Sequence, residues 1–448
     1  MDAGEVLERA GEAELRLVRF LWCGNDGTIR AKASGISGLL ERLETGIGVT
    51  VAMQAMNSLD QLQPIEGMGP VGEIRLAPDL ETFRVLPYAP RTGAILCDQQ
   101  ALDGSPAPVC QRTFLKRMEA RLAERGRTMR ASFENEFSLA TRVDGHYVPI
   151  DSSLCFSTIG LTAAQDCVDD LVAALEEQEI VVEQFYAELG HGQQELSTAH
   201  APVLRAADDQ VYVRETIRGV ASAHGLIASL APKPWADNAG NGCHIHFSLW
   251  DDEGRNRFHD PAAPDFLSTE ARAFLGGVLE HLSGLCGLAA PSFNSYRRIA
   301  PQTWSGAFAC WGHDNREAPL RAPSVFRGHE EASTNAELKT ADGSCNPYLA
   351  VGGVIAAGLD GLERELELPE AVEVDPATLA DEVREQRGIK RLPETQAAAL
   401  DALAADGVLL DALGPILAQS YLTVRRSEWA AYSAEDEAFE QQGHFSKY

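Results

Sequence analysis

The residues with the clearest chemical potential are carboxylates at short spacing. Glu134 and Glu136 stand two positions apart in the run Ala131–Leu139, which reads ASFENEFSL. On a strand, residues i and i+2 point to the same face, so these two carboxylates are predicted to lie side by side. Their repulsion would raise the pKa of one of them unless a cation lies between them. The alternative is a solvated strand face, because charged residues are mostly exposed.

Other parts of the chain supply similar groups. Glu188 and Glu195 lie on either side of a glycine turn, and Glu337 lies near the start of a short apolar run. His244 and His246 are two apart on a predicted strand and therefore share a face. Several carboxylates with one or two imidazoles form a hard, oxygen-rich site that suits Mg²⁺ or Mn²⁺ better than Zn²⁺. A single histidine of this kind is more often structural, so the hypothesis depends on the whole set.

Four arginines, at positions 297, 298, 316 and 321, follow in a polar stretch. The guanidinium group binds carboxylates and phosphates through two parallel hydrogen bonds. Metals held by carboxylates together with such arginines predict phosphoryl transfer from a nucleotide. Surface ion pairing is the alternative, because acidic residues are in excess in this chain.

The first hundred residues predict a small mixed sheet that carries one helix. Asn25-Asp26-Gly27 between two alternating runs is a hairpin signal. The strand-like runs are Glu14–Trp22, Thr28–Ala33, Val49–Ala55, Gly72–Leu76 and Phe83–Pro87, and the helix is Ile36–Leu43. A turn-rich segment, Asp103–Pro108, is interpreted as a linker.

The remaining residues predict a larger domain in which the carboxylates lie on strands. The predicted strands are Ala131–Leu139, Val181–Glu188, Gln193–Ser197, Glu337–Lys339 and a strand that ends at Trp250 after the glycine-rich loop from Asn238. The predicted helices are Thr113–Arg125, Ala163–Gln178, Val211–Ala223, Glu270–Leu288, Asn346–Leu362 and the segment from Pro393 onward.

Composition narrows the classes of partner. The chain has 448 residues and a net charge of −28, which argues against a nucleic-acid or anionic-membrane partner. Its nine cysteines include no C-x-x-C pair, so they indicate neither a disulfide framework nor a zinc site. The acidic start has no signal-peptide pattern, and no apolar run is long enough to span a bilayer. We therefore expect a cytoplasmic protein.

The candidate residues fall in a series of ordered motifs. In chain order these are N-D-G-T-I-R-A-K, S-F-E-N-E-F-S-L, E-L-G-H-G-Q-Q-E, G-N-G-C-H-I-H-F-S-L-W, N-S-Y-R-R-I-A-P, D-N-R-E-A-P-L-R and E-L-K-T-A-D-G-S-C-N-P-Y-L-A. Through them the chain resembles the glutamine synthetase superfamily along nearly its whole length, and within it the γ-glutamyl-amine ligase branch of the γ-glutamylmethylamide synthetase type. The resemblance implies an α+β fold. It comprises a β-grasp-like N-terminal domain at residues 1–105 and a catalytic domain at 106–448, which is built on a curved antiparallel sheet with flanking helices.

The resemblance also implies roles for individual residues. Two or more Mg²⁺ or Mn²⁺ ions are expected, one held by Glu136, Glu188 and Glu195 and another by Glu134, His244 and Glu337. ATP, the co-substrate, is expected to contact Glu183, His246, Ser248, Arg316 and Arg321. Glutamate is expected to contact Gly240, Arg298 and Lys339. The expected catalytic residues are His246, Arg298, Trp304 and Arg316.

The implied reaction activates the γ-carboxylate of glutamate as an acyl phosphate, which an amine then attacks. The resemblance further implies a homo-oligomer, a dodecamer of two hexameric rings, with active sites between neighbouring subunits.

Two departures from the family pattern concern the ammonium site. The N-terminal stretch G-V-T-V-A-M-Q-A-M-N-S-L-D lacks the D-G-S-S segment, and Trp304 occupies the position of an acidic residue. Loss of both anionic groups removes the attraction for a small cation and provides an aromatic wall for an alkyl group. Lys339 replaces the usual arginine, which weakens the bidentate grip on a carboxylate. In addition, Ala239 occupies the position of a substrate-loop asparagine, with Asn238 beside it.

The sequence therefore predicts a glutamate–amine ligase that acts on a short alkylamine such as methylamine or ethylamine. One alternative is a glutamine synthetase that uses ammonia, with another acid such as Asp60 restoring the ammonium site. A γ-glutamylputrescine or γ-glutamylethanolamine synthetase is a second alternative, and a diamine would need a further acidic contact. A regulatory homologue without catalysis is the third alternative. For Trp304 itself, the alternative to a role in amine selection is a packing residue in a shifted loop.

Overall fold

The structure is a computed structural model that describes residues 1–448 and contains two large sheets surrounded by helices. The helices are α1 (Ala3–Glu12), α2 (Leu39–Thr45), α3 (Gln111–Ala123), α4 (Thr158–Ala163), α5 (Gln165–Glu177), α6 (Val203–Ala223), α7 (Thr269–Glu280), α8 (Leu282–Ala289), α9 (Ser295–Arg298), α10 (Glu330–Ser333), α11 (Pro347–Glu363), α12 (Asp381–Gln386), α13 (Gln396–Ala405), α14 (Gly407–Leu413), α15 (Pro415–Tyr432) and α16 (Glu437–Phe445). The strands are β1 (Leu17–Cys23), β2 (Ile29–Gly35), β3 (Ile47–Thr50), β4 (Glu73–Pro78), β5 (Arg84–Val85), β6 (Thr92–Gln100), β7 (Thr128–Val143), β8 (His146–Pro149), β9 (Val182–Ala187), β10 (Gln193–Thr198), β11 (Ala201–Pro202), β12 (Ile227–Ser229), β13 (Cys243–Trp250), β14 (Phe308–Ala309), β15 (Trp311–His313), β16 (Leu320–Ala322), β17 (Ala336–Leu338) and β18 (Lys390–Arg391).

The N-terminal sheet is mixed, as predicted. Its strand order is β2-β1-β6-β4-β3, with β5 paired to β6, and the β1–β6 pair is parallel. The predicted hairpin joins β1 to β2 in register. Its turn ends at Gly27, whose φ is +72° and where a Cβ would lie 2.1 Å from the carbonyl oxygen of Ser344. Only glycine combines that backbone conformation with that close approach.

The catalytic sheet is antiparallel except for one edge pair. Its order is β15-β16-β17-β13-β7-β10-β9, with β8, β11 and β12 also paired to β7, and only β15 and β16 run parallel. The central strand, β7, alternates strictly between buried and half-buried residues over most of its length. Phe133 and Phe137 point into the core, which leaves the intervening glutamates on the other face. This arrangement confirms the α+β fold class expected from the motifs.

Several N-terminal predictions were wrong or incomplete. The predicted helix at 36–43 is a 3₁₀ turn followed by α2, and the predicted strand at 49–55 becomes a 3₁₀ helix after Thr50. The run at 83–87 contains only the two residues of β5. Helix α1 and strand β6 were missed. Strand β6 is central and nearly all buried, so it has no polar alternation to reveal it.

The apolar segment 270–288 forms two helices rather than one. Helix α7 ends and α8 begins at His281, whose ring nitrogens lie 2.7 Å from Asp406 and 3.0 Å from Asp360. Helix α7 also packs closely on α11, because a Cβ at Gly277 would lie 2.1 Å from the carbonyl oxygen of Ala357. Helix α6 starts at residue 203, eight positions before its predicted start.

The two sheets share buried contacts. Leu21 and Leu96 of the N-terminal sheet belong to the same 73-residue hydrophobic core as the catalytic sheet. Arg112 on α3 lies 2.8 Å from Asp79 and 2.8 Å from Asp208, so it joins carboxylates from both regions. No single helix is long and apolar enough to cross a membrane, and α14 and α15 pass that test only as a pair bent by 109°.

Candidate active site

The register of four strands brings the predicted carboxylates and histidines together. On β7, Glu134 pairs with His244 of β13, and Glu136 pairs with Glu195 of β10. On the other side of β13, His246 pairs with Glu337 of β17. The i, i+2 spacing therefore places these side chains on one face of the sheet, as the sequence indicated.

Two imidazoles lie against two carboxylates at the centre of this face. Nε2 of His246 is 3.2 Å from Glu134 and 3.9 Å from Glu337. Nδ1 of His244 is 3.3 Å from Glu134 and 3.2 Å from Glu337. Although burial alone would lower it, the carboxylate of Glu134 raises the pKa of His246 to about 9. The same contacts outweigh burial at Glu134, whose pKa lies well below its usual range.

Glu337 is fully buried and is held by two further cations. Nη1 of Arg321 lies 2.7 Å from one of its oxygens, and Nζ of Lys339 lies 3.2 Å from the other. Burial opposes ionisation, but Lys339 and the imidazoles keep the pKa of Glu337 well below its usual range. The ammonium group of Lys339, which was predicted to contact glutamate, is therefore engaged by Glu337.

Three glutamates form the other half of the cluster. Burial, followed by the neighbouring charges of Glu136 and Glu134, raises the pKa of Glu195 to about 10. Burial and Glu136 also raise the pKa of Glu188. This pattern is typical of carboxylates that repel one another without a compensating cation.

The donor set fits a hard divalent cation. Ligand atoms of Glu134, His246 and Glu337 lie within 4.8 Å of one another. Nε2 of His246 is buried and forms no well-oriented hydrogen bond, although Glu134 lies 3.2 Å away, whereas its Nδ1 lies 2.9 Å from the side-chain oxygen of Asn335. The resemblance assigned His244 to this metal, and both imidazoles lie within 3.3 Å of Glu134. Oxygen-rich donors with one imidazole are typical of Mg²⁺ and Mn²⁺ sites.

A glutamine missed by the sequence analysis orients Glu136. Nε2 of Gln193 donates to Glu136 at 3.0 Å and to the carbonyl oxygen of Gly240 at 2.8 Å. The backbone N–H of Gly242 donates to Glu136 at 2.8 Å, and a Cβ there would lie 2.6 Å from Nε2 of His244. The only sequence signal for Gln193 is its place between Glu188 and Glu195 in the E-L-G-H-G-Q-Q-E motif.

Arg298 and Gly240 pack directly on each other. Nη2 of Arg298 donates to the carbonyl oxygens of Thr340 at 2.6 Å and Ala341 at 2.9 Å. Its Nε has no hydrogen-bond partner. A Cβ at Gly240 would lie 2.6 Å from Cγ of Arg298, so only glycine fits there. Three backbone carbonyls, those of Lys339, Thr340 and Ala341, therefore hold the guanidinium group of Arg298, and its buried Nε is left without a hydrogen-bond partner.

The cluster opens into a cleft with a volume of about 960 Å³. Every predicted site residue except the buried Glu337 lines it. These residues are Glu134, Glu136, Glu183, Glu188, Glu195, Gly240, His244, His246, Ser248, Arg298, Trp304, Arg316, Arg321 and Lys339. Arg316 and Glu183 are exposed, and Arg316 forms no salt bridge, so its guanidinium is free to meet an anion.

One end of the cleft carries stacked rings around Ser248. The hydroxyl of Ser248 accepts a hydrogen bond from Nε1 of Trp250 at 2.9 Å. The ring of His200 stacks on Trp250 with centroids 5.9 Å apart, and the guanidinium of Arg130 lies 5.4 Å above the same ring. His200 and Arg130 line the cleft but were not singled out in the sequence.

Trp304 lies on a loop with an unusual backbone. Its side chain is half exposed, and both Trp304 and Gln302 have left-handed φ values, +58° and +61°. Glu317 holds the loop by accepting the backbone N–H groups of Trp304 at 2.8 Å and Gln302 at 3.2 Å. The carboxylate of Glu317 therefore fixes the loop that presents the indole to the cleft.

Comparison with known proteins identifies the family. Residues 108–443 match the model of the glutamine synthetase catalytic domain, and residues 1–107 match the glutamine synthetase N-terminal domain. The chain belongs to the glutamine synthetase family. It is an ATP-dependent ligase of the glutamine synthetase type, and its carboxylate–histidine cluster fits the divalent metals that this family uses.

Individual relatives of this glutamine synthetase family member cover most of its length. It is 38% identical to the gamma-glutamylpolyamine synthetase of Streptomyces coelicolor, over 90% of this chain and 87% of the relative. It is 32% identical to a glutamine synthetase of Methanocaldococcus jannaschii, over 96% and 95% of the two chains. Among solved structures, a novel glutamine synthase homologue superimposes with a TM-score of 0.87 at 32% identity, covering 97% of this chain and 99% of the other. GmaS with ADP bound superimposes with a TM-score of 0.85 at 28% identity, covering 98% of each chain.

Proposed function

We propose that this protein joins the γ-carboxylate of glutamate to an organic primary amine at the expense of ATP. The γ-carboxylate would attack the terminal phosphorus of ATP, releasing ADP and giving γ-glutamyl phosphate. The amine nitrogen would then attack the acyl carbon, lose a proton and displace phosphate. The exposed, unpaired guanidinium of Arg316 and the nearby Arg321 lie where they could stabilise the transferring group.

We further propose that two divalent cations, Mg²⁺ or Mn²⁺, bind the cluster. Glu136, Glu188 and Glu195 would hold one, and Glu134, Glu337 and an imidazole would hold the other. Bound there, the cations would neutralise the phosphate charge of ATP. The raised pKa of Glu195 supports this assignment, because it arises from burial and then from the charges of Glu136 and Glu134, and a cation would offset both.

The proposal of an organic amine as substrate rests on one observation, which is that the loop carrying Trp304 places an indole, and no carboxylate, against the cleft. The indole lines the cleft, and the nearby Glu317 is turned to the loop backbone through two hydrogen bonds. The loop thus presents an aromatic surface to the cleft where the family pattern has an acid. Such a surface packs well against an alkyl chain and can attract a protonated amine through its ring face.

Glutamine synthesis from ammonia is less well supported. Asp60, the acid considered as a substitute for the ammonium site, is highly exposed and lies 3.4 Å from Arg30. It does not line the cleft of its own chain. A regulatory protein without catalysis is also disfavoured, since five of the six predicted metal ligands share one face of the sheet and the sixth, Glu188, lines the same cleft.

A polyamine is a second candidate substrate, favoured by an acid at the cleft wall. A long diamine requires a negative contact for its distal ammonium group. Asp314 is exposed and lines the cleft, and it belongs neither to the metal cluster nor to the residues expected at ATP. The relative from Streptomyces coelicolor is named for polyamine substrates, which supports testing them beside short alkylamines such as methylamine and ethylamine.

We also propose a cytoplasmic homo-oligomer made of two hexameric rings. Support comes from membership in a family whose active sites lie between neighbouring subunits, as the sequence motifs implied. Light scattering coupled to size-exclusion chromatography would measure the mass directly. A monomer of 48.4 kDa would contradict the ring assembly.

The experiment that tests the function measures phosphate release from ATP with glutamate and Mg²⁺ across a panel of amines. The panel contains ammonium, methylamine, ethylamine, isopropylamine, ethanolamine, putrescine and spermidine. We expect kcat/KM for the best organic amine to exceed that for ammonium by at least about tenfold, as one well-packed apolar contact allows. A higher value for ammonium would make the protein a glutamine synthetase. ATP binding without turnover on any amine would favour the regulatory interpretation.

A further inference from the structure

Helix α16 contacts the segment that carries Arg298 through a buried carboxylate. Glu440 is 4% exposed and accepts a hydrogen bond from Nδ2 of Asn294 at 2.8 Å. It also accepts one from Nη2 of Arg297 at 3.1 Å. Asn294 precedes helix α9 and Arg297 lies within it, and α9 ends at Arg298. Glu440 therefore fixes both ends of the short segment that carries Arg298.

Asn294 also holds a second loop, the one that runs from Lys233 to Gly240. Its side-chain oxygen accepts the backbone N–H of Lys233 at 2.6 Å, and its Nδ2 donates to the carbonyl oxygen of Lys233 at 3.1 Å. Nζ of Lys233 donates in turn to the carbonyl oxygen of Asn238. The side chain of Asn238 accepts the backbone N–H groups of His191 at 2.9 Å and Ala239 at 3.0 Å. This series of hydrogen bonds thus ends beside Gly240 and at the turn between Glu188 and Glu195.

Helix α16 also contacts the loop that follows Lys233 directly. The ring of Phe445 stacks on Tyr147 with centroids 3.8 Å apart and meets Trp235 edge-on at 5.1 Å. Nε2 of Gln441 donates to the carbonyl oxygen of Pro234 at 2.9 Å. The helix is therefore packed against the loop that leads to Gly240, and Glu440 is the only charged side chain that α16 itself contributes to these contacts.

We propose that Glu440 is a positioning residue for the glutamate substrate. It touches neither the cleft nor the metal cluster, and it acts through Asn294 and Arg297 on the segments that bear Gly240 and Arg298. A small displacement of groups that orient a substrate has large effects on binding and rate. This inference rests on the proposed function, because it takes glutamate to be the substrate held beside Gly240 and Arg298.

Substitution of Glu440 is expected to affect the two substrates unequally. Glu440→Ala removes one of the two acceptors of the buried Asn294 amide and the ion-pair partner of the exposed Arg297, and the lost acceptor is costly at the buried amide. We expect KM for glutamate to rise about tenfold, while KM for ATP, whose site lies towards Ser248, stays within about twofold. Glu440→Gln keeps an acceptor for Asn294 but loses the charge, so we expect an intermediate KM for glutamate.

The control is Glu437→Ala, an exposed glutamate on the same helix. It should leave both KM values unchanged, and thermal unfolding should show that each variant is folded. Glutamate KM values within twofold of wild type in both Glu440 variants, or equal rises for glutamate and ATP, would overturn the proposal. If Glu440→Ala does not fold, Glu440→Gln decides, with an unchanged KM for glutamate contradicting us. Failure of the proposed function would look different, because the wild-type protein itself would release no phosphate in a glutamate-dependent way.

Discussion

At the scale of single residues, the site is defined by which charges are compensated within the protein. Glu337 is balanced by Arg321 and Lys339, and its pKa is low despite full burial. Glu195 has no such partner, and its pKa is raised to about 10. The half of the cluster that contains Glu195 therefore carries more carboxylate charge that no lysine or arginine balances, and a cation would be stabilised there.

Trp304 is the residue on which amine selectivity depends. Replacement by alanine removes the aromatic wall and leaves Glu317 bonded to the loop backbone. We expect kcat/KM for the best alkylamine to fall about tenfold, in line with the loss of an apolar contact in a pocket. Steady-state phosphate release at varied amine concentration measures this change.

Two comparisons make the Trp304 experiment specific. Trp304→Phe retains an aromatic face and should keep most of the activity, and KM for ATP should not change in either variant. An alanine variant with full alkylamine efficiency would show that the indole packs on the loop and has no part in substrate selection.

At the scale of elements, a break between two helices is stabilised by a buried histidine. His281 lies between α7 and α8 and contacts Asp406 at 2.7 Å and Asp360 at 3.0 Å. Burial alone would lower the pKa of His281, but the two carboxylates outweigh burial and raise it. The protonated imidazole thus links α8 to α11 and to the start of α14.

The raised pKa of His281 gives stability a definite pH dependence. The contribution is complete below the unfolded-state pKa of about 6.5 and disappears as pH rises through the higher folded-state value. His281→Asn should therefore lower the melting temperature more at pH 6 than at pH 9, by an amount equivalent to about 2 kcal/mol at the lower pH. Thermal unfolding of both proteins at the two pH values tests this.

An exposed pair provides the matched control for His281. His224 lies 2.8 Å from Asp170 on the surface, where ion pairs contribute little to stability. His224→Asn should change the melting temperature only slightly at either pH. A His281→Asn effect that is the same at pH 6 and pH 9 would show that packing, and not charge, sustains the helix break.

The sequence predicts those parts of the site that follow from local spacing. Glu134 with Glu136, and His244 with His246, share a face because strand side chains alternate, and the structure shows this directly. Strand β6 was missed because a central strand buried on both faces has no alternation. The break at His281 was missed because its causes, Asp360 and Asp406, lie far along the chain. For the same reason, spacing could not reveal the contact of Glu440 with Asn294, 146 residues away.

At the scale of the whole molecule, two regions with their own sheets pack on each other, and the residues that line the cleft all come from the second region. All the predicted site residues lie in the catalytic sheet and its loops, and Arg112 ties that region to the N-terminal sheet through buried ion pairs. The chain as a whole has a net charge of −28, but the cleft is lined by several positively charged arginines. This distribution suits small cationic and metal-bound substrates better than a polyanionic macromolecule.

The most direct test of the central claim identifies the product when amines compete. Purified protein is incubated with ATP, Mg²⁺, glutamate and equal concentrations of ammonium, methylamine and putrescine, and the products are quantified by mass spectrometry. We predict that γ-glutamylamides of the organic amines exceed glutamine by at least about tenfold. Glutamine as the main product would contradict the account, because it would show that the loop carrying Trp304 does not select an organic amine.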